Sequence, residues 1–189
     1  MFSLGIDIGG SKVEGALFKQ PLTKESYFEA TKSRIQSQRT FGYKNAIKNI
    51  TTMCKSLLEK TGTTKDSISF LGISLPGTVD PKSQQMIQGN SNIFSYEDIA
   101  FHLKKNLGLC CQTAVANDAN CFILAESQLG VGCSFNQNAT GIGVILGTGV
   151  GGGVVCGKKV LVGKKGAACE IGHIELITGG HPCYCSLTG

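Results

Sequence analysis

The sequence predicts an α/β fold in two lobes, and three observations carry that prediction. Short apolar runs of strand character alternate with segments of helical spacing. One device occurs twice: an apolar strand, a Gly-rich turn carrying a hydroxyl (Ser11, Thr148), and a returning strand. The 26 glycines of the 189 residues cluster rather than spread, which argues for tight turns and close ligand approach rather than a flexible linker.

The elements follow in order. SLGIDIG alternates apolar and small residues, and VEGALF resumes the alternation after GGSK, so the two form a hairpin. SYFEATKSR reads as a third strand. GYKNAIKNITTMCKSLLEKTG places Tyr43, Ile47, Ile50, Cys54, Leu57 and Leu58 at helix spacing, with Gly62 positioned to end the helix. SISFLGISLPG is a buried strand stopped by Pro76 and Gly77, and a loop follows. EDIAFHLKKNLG reads as a helix and CQTAVAND as a strand. NDANCFILAESQLG opens a helix with Asp118 near its start and Cys121, Leu124, Ala125 and Leu129 on one face. TGIGVILGTGVGGGVVCGKKVLV is again strand, turn and strand. The lobe boundary falls near residues 116–120, giving a first lobe over 1–116 and the beginning of a second over 117–189.

Hydrophobic content of 41% and charged content of 16% allow a sizeable core. The net charge of +5 is spread over scattered lysines with no dense basic block. That argues against nucleic acid and suits a phosphorylated small ligand equally well. Asp7 comes too early for a secretory apolar segment, and the most apolar stretch is broken by glycine and threonine. A soluble cytoplasmic protein without membrane partners is expected. Nine cysteines then read as reduced thiols or metal ligands. Cys54 and Cys121 fall on apolar helix faces as core residues. Cys110, Cys111, Cys133, Cys156 and Cys169 show no pairing pattern.

GTGVGGG contains G-x-G-x-x-G at Gly147, Gly149 and Gly152, but a β-branched strand follows where a dinucleotide site needs a helix. No G-x-x-x-x-G-K-[ST] occurs, so a P-loop is excluded as well. Two hairpin turns remain whose backbone N–H groups can face phosphate oxygens; the plain alternative is that they are simply sharp turns. Asp7, just before the first turn, can hold Mg²⁺ directly or through water, and Lys12 can add positive charge. Phosphoryl transfer to a hydroxyl needs an acceptor for the hydroxyl proton. Asp118 follows a strand and opens a helix, whose N-terminus would keep it ionised. The alternative is a plain N-cap, a role that suits Asp.

DIGGSK at 7–12, PG at 76–77, NDANCFILAE at 117–126, ILGTGVGGG at 145–153 and EIGH at 170–173 resemble, in that order, the ROK family of repressors, open reading frames and kinases. The resemblance runs over essentially the whole chain. It implies an actin-like, ribonuclease-H-related ATPase fold, here a complete first lobe plus the start of the second. It also implies ATP- and Mg²⁺-dependent phosphorylation of a hexose or N-acetylhexosamine, with fructose or N-acetylglucosamine favoured and glucose next. Asp7, Gly9, Gly10, Ser11 and Lys12 resemble the family's first phosphate motif, and Gly147, Thr148, Gly149 and Gly151 its second. Asp118 matches the catalytic base. Asn117, Glu170 and His173 match sugar ligands, and Gly77, Asn90 and Asn92 lie where the family contacts sugar. GAACEIGH departs from the family pattern by Cys169 before the Glu.

The resemblance also bears on the ending, HPCYCSLTG. The family binds zinc with a His and three cysteines; His173, Cys183 and Cys185 match the first three ligands, and the fourth falls one position past Gly189. Thiolate and imidazole suit tetrahedral Zn²⁺. His181 is a substitute at another spacing. An unpaired thiol tail is the alternative, and C-x-C lacks the two-residue spacing of a redox pair. The rest of the second lobe is expected beyond Gly189, so apolar surface and low stability are expected after about residue 117. The full-length form is expected to be a homodimer. Two other functions stay open: a sugar- and nucleotide-binding fragment without turnover, and a sugar-responsive regulator, which would need a DNA-binding domain before the first strand.

Overall fold

The computed structural model describes the chain except Gln38, Asn90, Ser91, Thr148 and Tyr184 and the side chains of Phe28 and Arg39. A five-stranded mixed sheet organises the first part. Strand β1 (Phe2–Ile8) turns back into β2 (Lys12–Lys19), with Phe2 opposite Lys19 and Ile8 opposite Val13. Residues 26–34, expected to be a strand, begin instead as helix α1 (Lys24–Phe28). Thr23 and Ser26 form a reciprocal capping box that starts the helix: Ser26 N–H donates to Thr23 Oγ1 at 3.2 Å and Thr23 N–H to Ser26 Oγ at 2.8 Å. Strand β3 (Thr31–Gln36) then pairs with β2.

Helix α2 (Tyr43–Thr61) follows its predicted span, buries Ala46, Ile47, Ile50, Met53, Cys54 and Leu57, and ends at Gly62 with φ +63°. Strand β4 (Ile68–Leu75) lies parallel to β1. The segment read as a loop contains a hairpin, β5 (Gly77–Val79) and β6 (Met86–Gly89). Its turn forms because Asp80 Oδ1 accepts N–H groups from Lys82 at 2.7 Å and Ser83 at 2.8 Å. Those two bonds, Ser83 foremost, hold the Asp80 carboxyl below its usual range. Helix α3 (Ile99–Leu107) is capped by Asp98 and ends at Gly108. Strand β7 (Gln112–Asn117) completes the order β3-β2-β1-β4-β7, with β1, β4 and β7 parallel.

One core holds this part together, running from Leu4 through the α2 and α3 faces to Val115. Cys54 belongs to it, and burial pushes its thiol up to about 12.

Strand β7 leads without a loop into helix α4 (Asp118–Gln128). A three-stranded antiparallel sheet follows, β8 (Thr140–Leu146), β9 (Val150–Cys156) and β10 (Lys159–Val160), in the order β10-β9-β8. The face of α4 expected inside, with Cys121, Leu124, Ala125 and Leu129, is not the buried one: Ala119, Asn120, Ile123 and Ser127 are. The physical reason is the sheet beneath it. A Cβ at Gly153 would lie 2.7 Å from Ile123, and one at Gly143 3.0 Å from it, so glycines let the small-residue face of α4 sit directly on the strands. Cys121 is therefore only partly buried; with Leu124 it flanks a cleft of about 200 Å³ between β7 and β10.

All nine cysteines are free thiols. Among the described residues no helix is long and apolar enough to cross a membrane. Among the described residues after 117 the buried apolar side chains are Ala119, Ile123 and Val155, while Ile142, Val144, Leu146 and Val150 are exposed on β8 and β9.

Candidate functional site

The parallel strands bring their carboxyl ends to one edge. Asp7 stands opposite Ser74, and Leu75 opposite Asn117. Ser74 Oγ donates to Asp7 Oδ1 at 2.8 Å. The first Gly-rich turn leaves this edge from β1: Gly9 N–H donates to Lys12 O at 2.9 Å, and Gly10, Ser11 and Lys12 are exposed.

The N-cap of α4 is Asn117, which removes the capping alternative for Asp118. Asn117 Oδ1 accepts from Ala119 N–H at 2.9 Å and Asn120 N–H at 3.2 Å, and its amide donates to Gly77 O at 3.1 Å. Asp118 is the first helical residue and accepts from Ala119 N–H at 2.8 Å. Burial pushes its carboxyl above the ordinary value of 3.8; the Ala119 N–H opposes this, and the charges of Asp7 and Glu170 add to it. The expectation that the helix N-terminus keeps Asp118 ionised thus describes the weaker effect, because desolvation outweighs it. The same charges mark Asp7, Asp118 and Glu170 as neighbours across one site.

Glu170 lies in the segment after β10, and its Oε1 accepts from Thr78 Oγ1 of β5 at 3.4 Å. Cys169, the departure noted before Glu170, has φ +66°. A short 3-10 turn, Ile171–His173, follows, in which His173 N–H donates to Glu170 O at 3.1 Å. His173 Nδ1 lies 3.8 Å from Cys183 Sγ. The ligand atoms of His173, Cys183 and Cys185 all lie within 4.8 Å of one another. Just after the second cysteine, Ser186 N–H donates to Cys183 O at 3.0 Å, with Ser186 at φ +73°. His181 is not in the cluster; its carbonyl accepts Gly189 N–H at 3.1 Å.

In the second Gly-rich turn Gly147 N–H donates to Gly149 O at 2.9 Å. A Cβ at Gly147 or Gly149 would meet nothing within 4 Å, so no packing demands glycine there and the turn stays open to a ligand. A Cβ at Gly151 would lie 3.7 Å from Ala119 Cβ, which sets this turn beside Asp118. Gly77 backs the site through its carbonyl to Asn117, and Asn92 is exposed at the start of another 3-10 turn. Asn90 and Thr148 lie outside the described residues. Sequence reading missed Ser74 and Thr78. The signal for Ser74 was a hydroxyl near the carboxyl end of a largely apolar strand, on the face opposite Ile73 and Leu75.

Comparison with known proteins places this geometry. The model of the ROK family matches residues 3–189. An N-acetyl-D-glucosamine kinase of Haemophilus influenzae (strain 86-028NP) is 34% identical over 172 residues, covering 91% of this chain and 52% of that protein. A ROK family glucokinase from Streptomyces griseus, solved with glucose and AMPPNP, superposes with a TM-score of 0.80 at 25% identity, over 100% of this chain and 55% of that one. A ROK family transcriptional regulator, a homologue of the E. coli MLC protein, superposes with a TM-score of 0.79 at 21% identity, over 100% and 45%. The chain spans about half the length of the curated relatives it matches. Its α/β architecture is that of the actin-like ATPases.

Proposed function

The chain belongs to the ROK family, and from that premise we propose that it takes part in ATP-dependent phosphorylation of a hexose or N-acetylhexosamine. The observation that carries this reading is the meeting of Asp7, Asp118 and Glu170 at the carboxyl edge of the parallel strands, beside two Gly-rich turns. N-acetylglucosamine is favoured among the sugars by the N-acetyl-D-glucosamine kinases the chain resembles, with glucose supported by the glucokinase likeness and fructose kept as a candidate from the sequence.

The roles follow from chemistry. Sugar binds between residues 1–116 and 117–189, held by Asn117, Glu170 and His173, with Gly77, Asn90 and Asn92 at the rim. The Asn117 carbonyl oxygen is spent on the helix cap and one amide hydrogen on Gly77, so its second amide hydrogen serves the sugar. Asp118 accepts the proton of the attacking hydroxyl, and its raised pKa makes it a stronger acceptor once ionised. Gly9, Gly10, Ser11, Lys12 and residues Gly147, Thr148, Gly149 and Gly151 cradle the phosphates. The Asp7 carboxylate is a hard oxygen donor that fits Mg²⁺, which when bound neutralises phosphate charge. His173, Cys183 and Cys185 fit zinc as soft ligands already gathered; zinc there supplies a fixed geometry for the turn that carries Glu170. The protein works in the cytoplasm as a homodimer in its full-length form.

The test is ADP release from ATP and Mg²⁺ with fructose, glucose, mannose, N-acetylglucosamine and N-acetylmannosamine. One sugar is expected to support turnover, and Asp118→Asn to cut it roughly 10²–10⁴-fold while sparing sugar affinity. Full activity in that variant would sink the assignment. A second reading, sugar binding without turnover, is favoured by the thin core after residue 117; sugar binding with no ADP from any of the five would select it.

A further inference from the structure

We propose that Ser74 is a positioning residue for the phosphate end of the site: its hydroxyl fixes the Asp7 carboxylate and leaves the second oxygen, Oδ2, to face the cation. This rests on the reading of Asp7 as the residue that holds Mg²⁺.

Ser74 is 9% exposed, and its side chain donates to Asp7 Oδ1 at 2.8 Å. A serine hydroxyl has a single proton to give, and here that proton is committed to one carboxylate oxygen. A carboxylate torsion is broad and roughly two-fold, so an untethered Asp7 would present either oxygen. The neighbouring charge of Asp118 would also push it aside. Ser74 opposes both effects from the adjacent parallel strand, where register puts it directly across from Asp7.

Packing does not explain the hydroxyl. The side chains of β4 that join the core are Ile68, Leu71, Ile73 and Leu75, and Ser74 alternates with Ile73 and Leu75 onto the other face. Cys121 of α4 lies against the same hydroxyl. Burial pushes its thiol up to about 11, so it stays protonated and brings no rival negative charge. An alanine would fill the space of Ser74 and leave the Asp7 carboxylate untethered.

The test uses the 189-residue chain with Mn²⁺ and tripolyphosphate, followed by water-proton relaxation. Ser74→Ala is expected to weaken Mn²⁺ binding roughly tenfold, the scale of one hydrogen bond to a charged group. Binding of tripolyphosphate without metal should not change, and Ser74→Thr should restore the metal. In an Asp7→Asn background Ser74→Ala should add nothing, since the residue acts through Asp7. If Asp7→Asn binds Mn²⁺ as wild type does, the reading of Asp7 fails and the role of Ser74 falls with it. If Asp7→Asn is weak and Ser74→Ala matches wild type, the role of Ser74 alone is overturned. Equal losses with and without metal would make Ser74 a folding residue and overturn the proposal too. Should Ser74→Ala not fold, Ser74→Cys, similar in shape with a weak donor, takes its place with the same loss expected.

Discussion

Asp118 is strained by its own position. Its carboxyl is raised above 3.8 chiefly by burial, so ionising it opposes folding. The sign follows: the folded state holds this proton more tightly than the unfolded chain does. The fold is unpenalised below the ordinary carboxyl pKa and loses stability as pH rises through the raised one. Asp118→Asn should therefore melt higher than wild type at neutral pH, and the difference should vanish near pH ~3.5, below the ordinary value. Thermal melts at the two pH values check this; a variant that melts lower at neutral pH would contradict it. Cys169 is the second residue held against its preference, at φ +66° immediately before Glu170. A left-handed backbone costs an L-residue about 1–2 kcal/mol and glycine almost nothing. Cys169→Gly should stabilise the fold by about 1 kcal/mol, less what glycine loses in unfolded-chain entropy, read from denaturant midpoints.

At the scale of elements, α4 decides where Asp118 sits, and the glycines of β8 and β9 decide where α4 sits. A Cβ at Gly153 would fall 2.7 Å from Ile123 Cγ2 and 2.8 Å from the Ala119 carbonyl oxygen. Gly153→Ala should cost roughly 1–3 kcal/mol in denaturant unfolding. It should also weaken sugar binding, because the helix can yield only by moving Asn117 and Asp118. Lys158 pins the other end of α4, its ammonium donating to Ser127 O and Gly132 O at 2.6 Å. Sequence periodicity found α2 because a long helix with a wide apolar face leaves a strong signal. It misjudged the face of α4 because its apolar residues lie on several sides, and a glycine-lined sheet accepts small side chains. It missed α1 and the β5–β6 hairpin, which a capping box and an Asp80 turn specify rather than any period.

Across the whole molecule, stability is uneven. The core runs from Leu4 to Val115, and among the described residues only Ala119, Ile123 and Val155 are buried apolar residues beyond Asn117. Amide hydrogen exchange should find β1, β4 and α2 the slowest and β8 and β9 at least roughly tenfold faster, since few buried contacts hold the latter. Uniform protection would refute that division. Purified chain should also carry zinc, measured by elemental analysis, and Cys183→Ser should lose it; a zinc-free wild type would overturn the metal reading of the cluster.

The sequence by itself determined the alternation of strands and helices and the two Gly-rich turns, and it offered Asp7 and Asp118 as candidates. Those are legible because glycine at turns and carboxylates at strand ends leave short local motifs, whereas Glu170 and the His173, Cys183 and Cys185 cluster came from the family resemblance. Tertiary structure alone decided which atoms meet. Parallel register set Ser74 against Asp7, and β5 met the segment after β10 where Thr78 touches Glu170. Capping went to Asn117 rather than Asp118, and burial set the upward direction of the Asp118 pKa against the opposing Ala119 N–H. Those outcomes depend on contacts between residues far apart in the chain, and on how much water the packing leaves at each one.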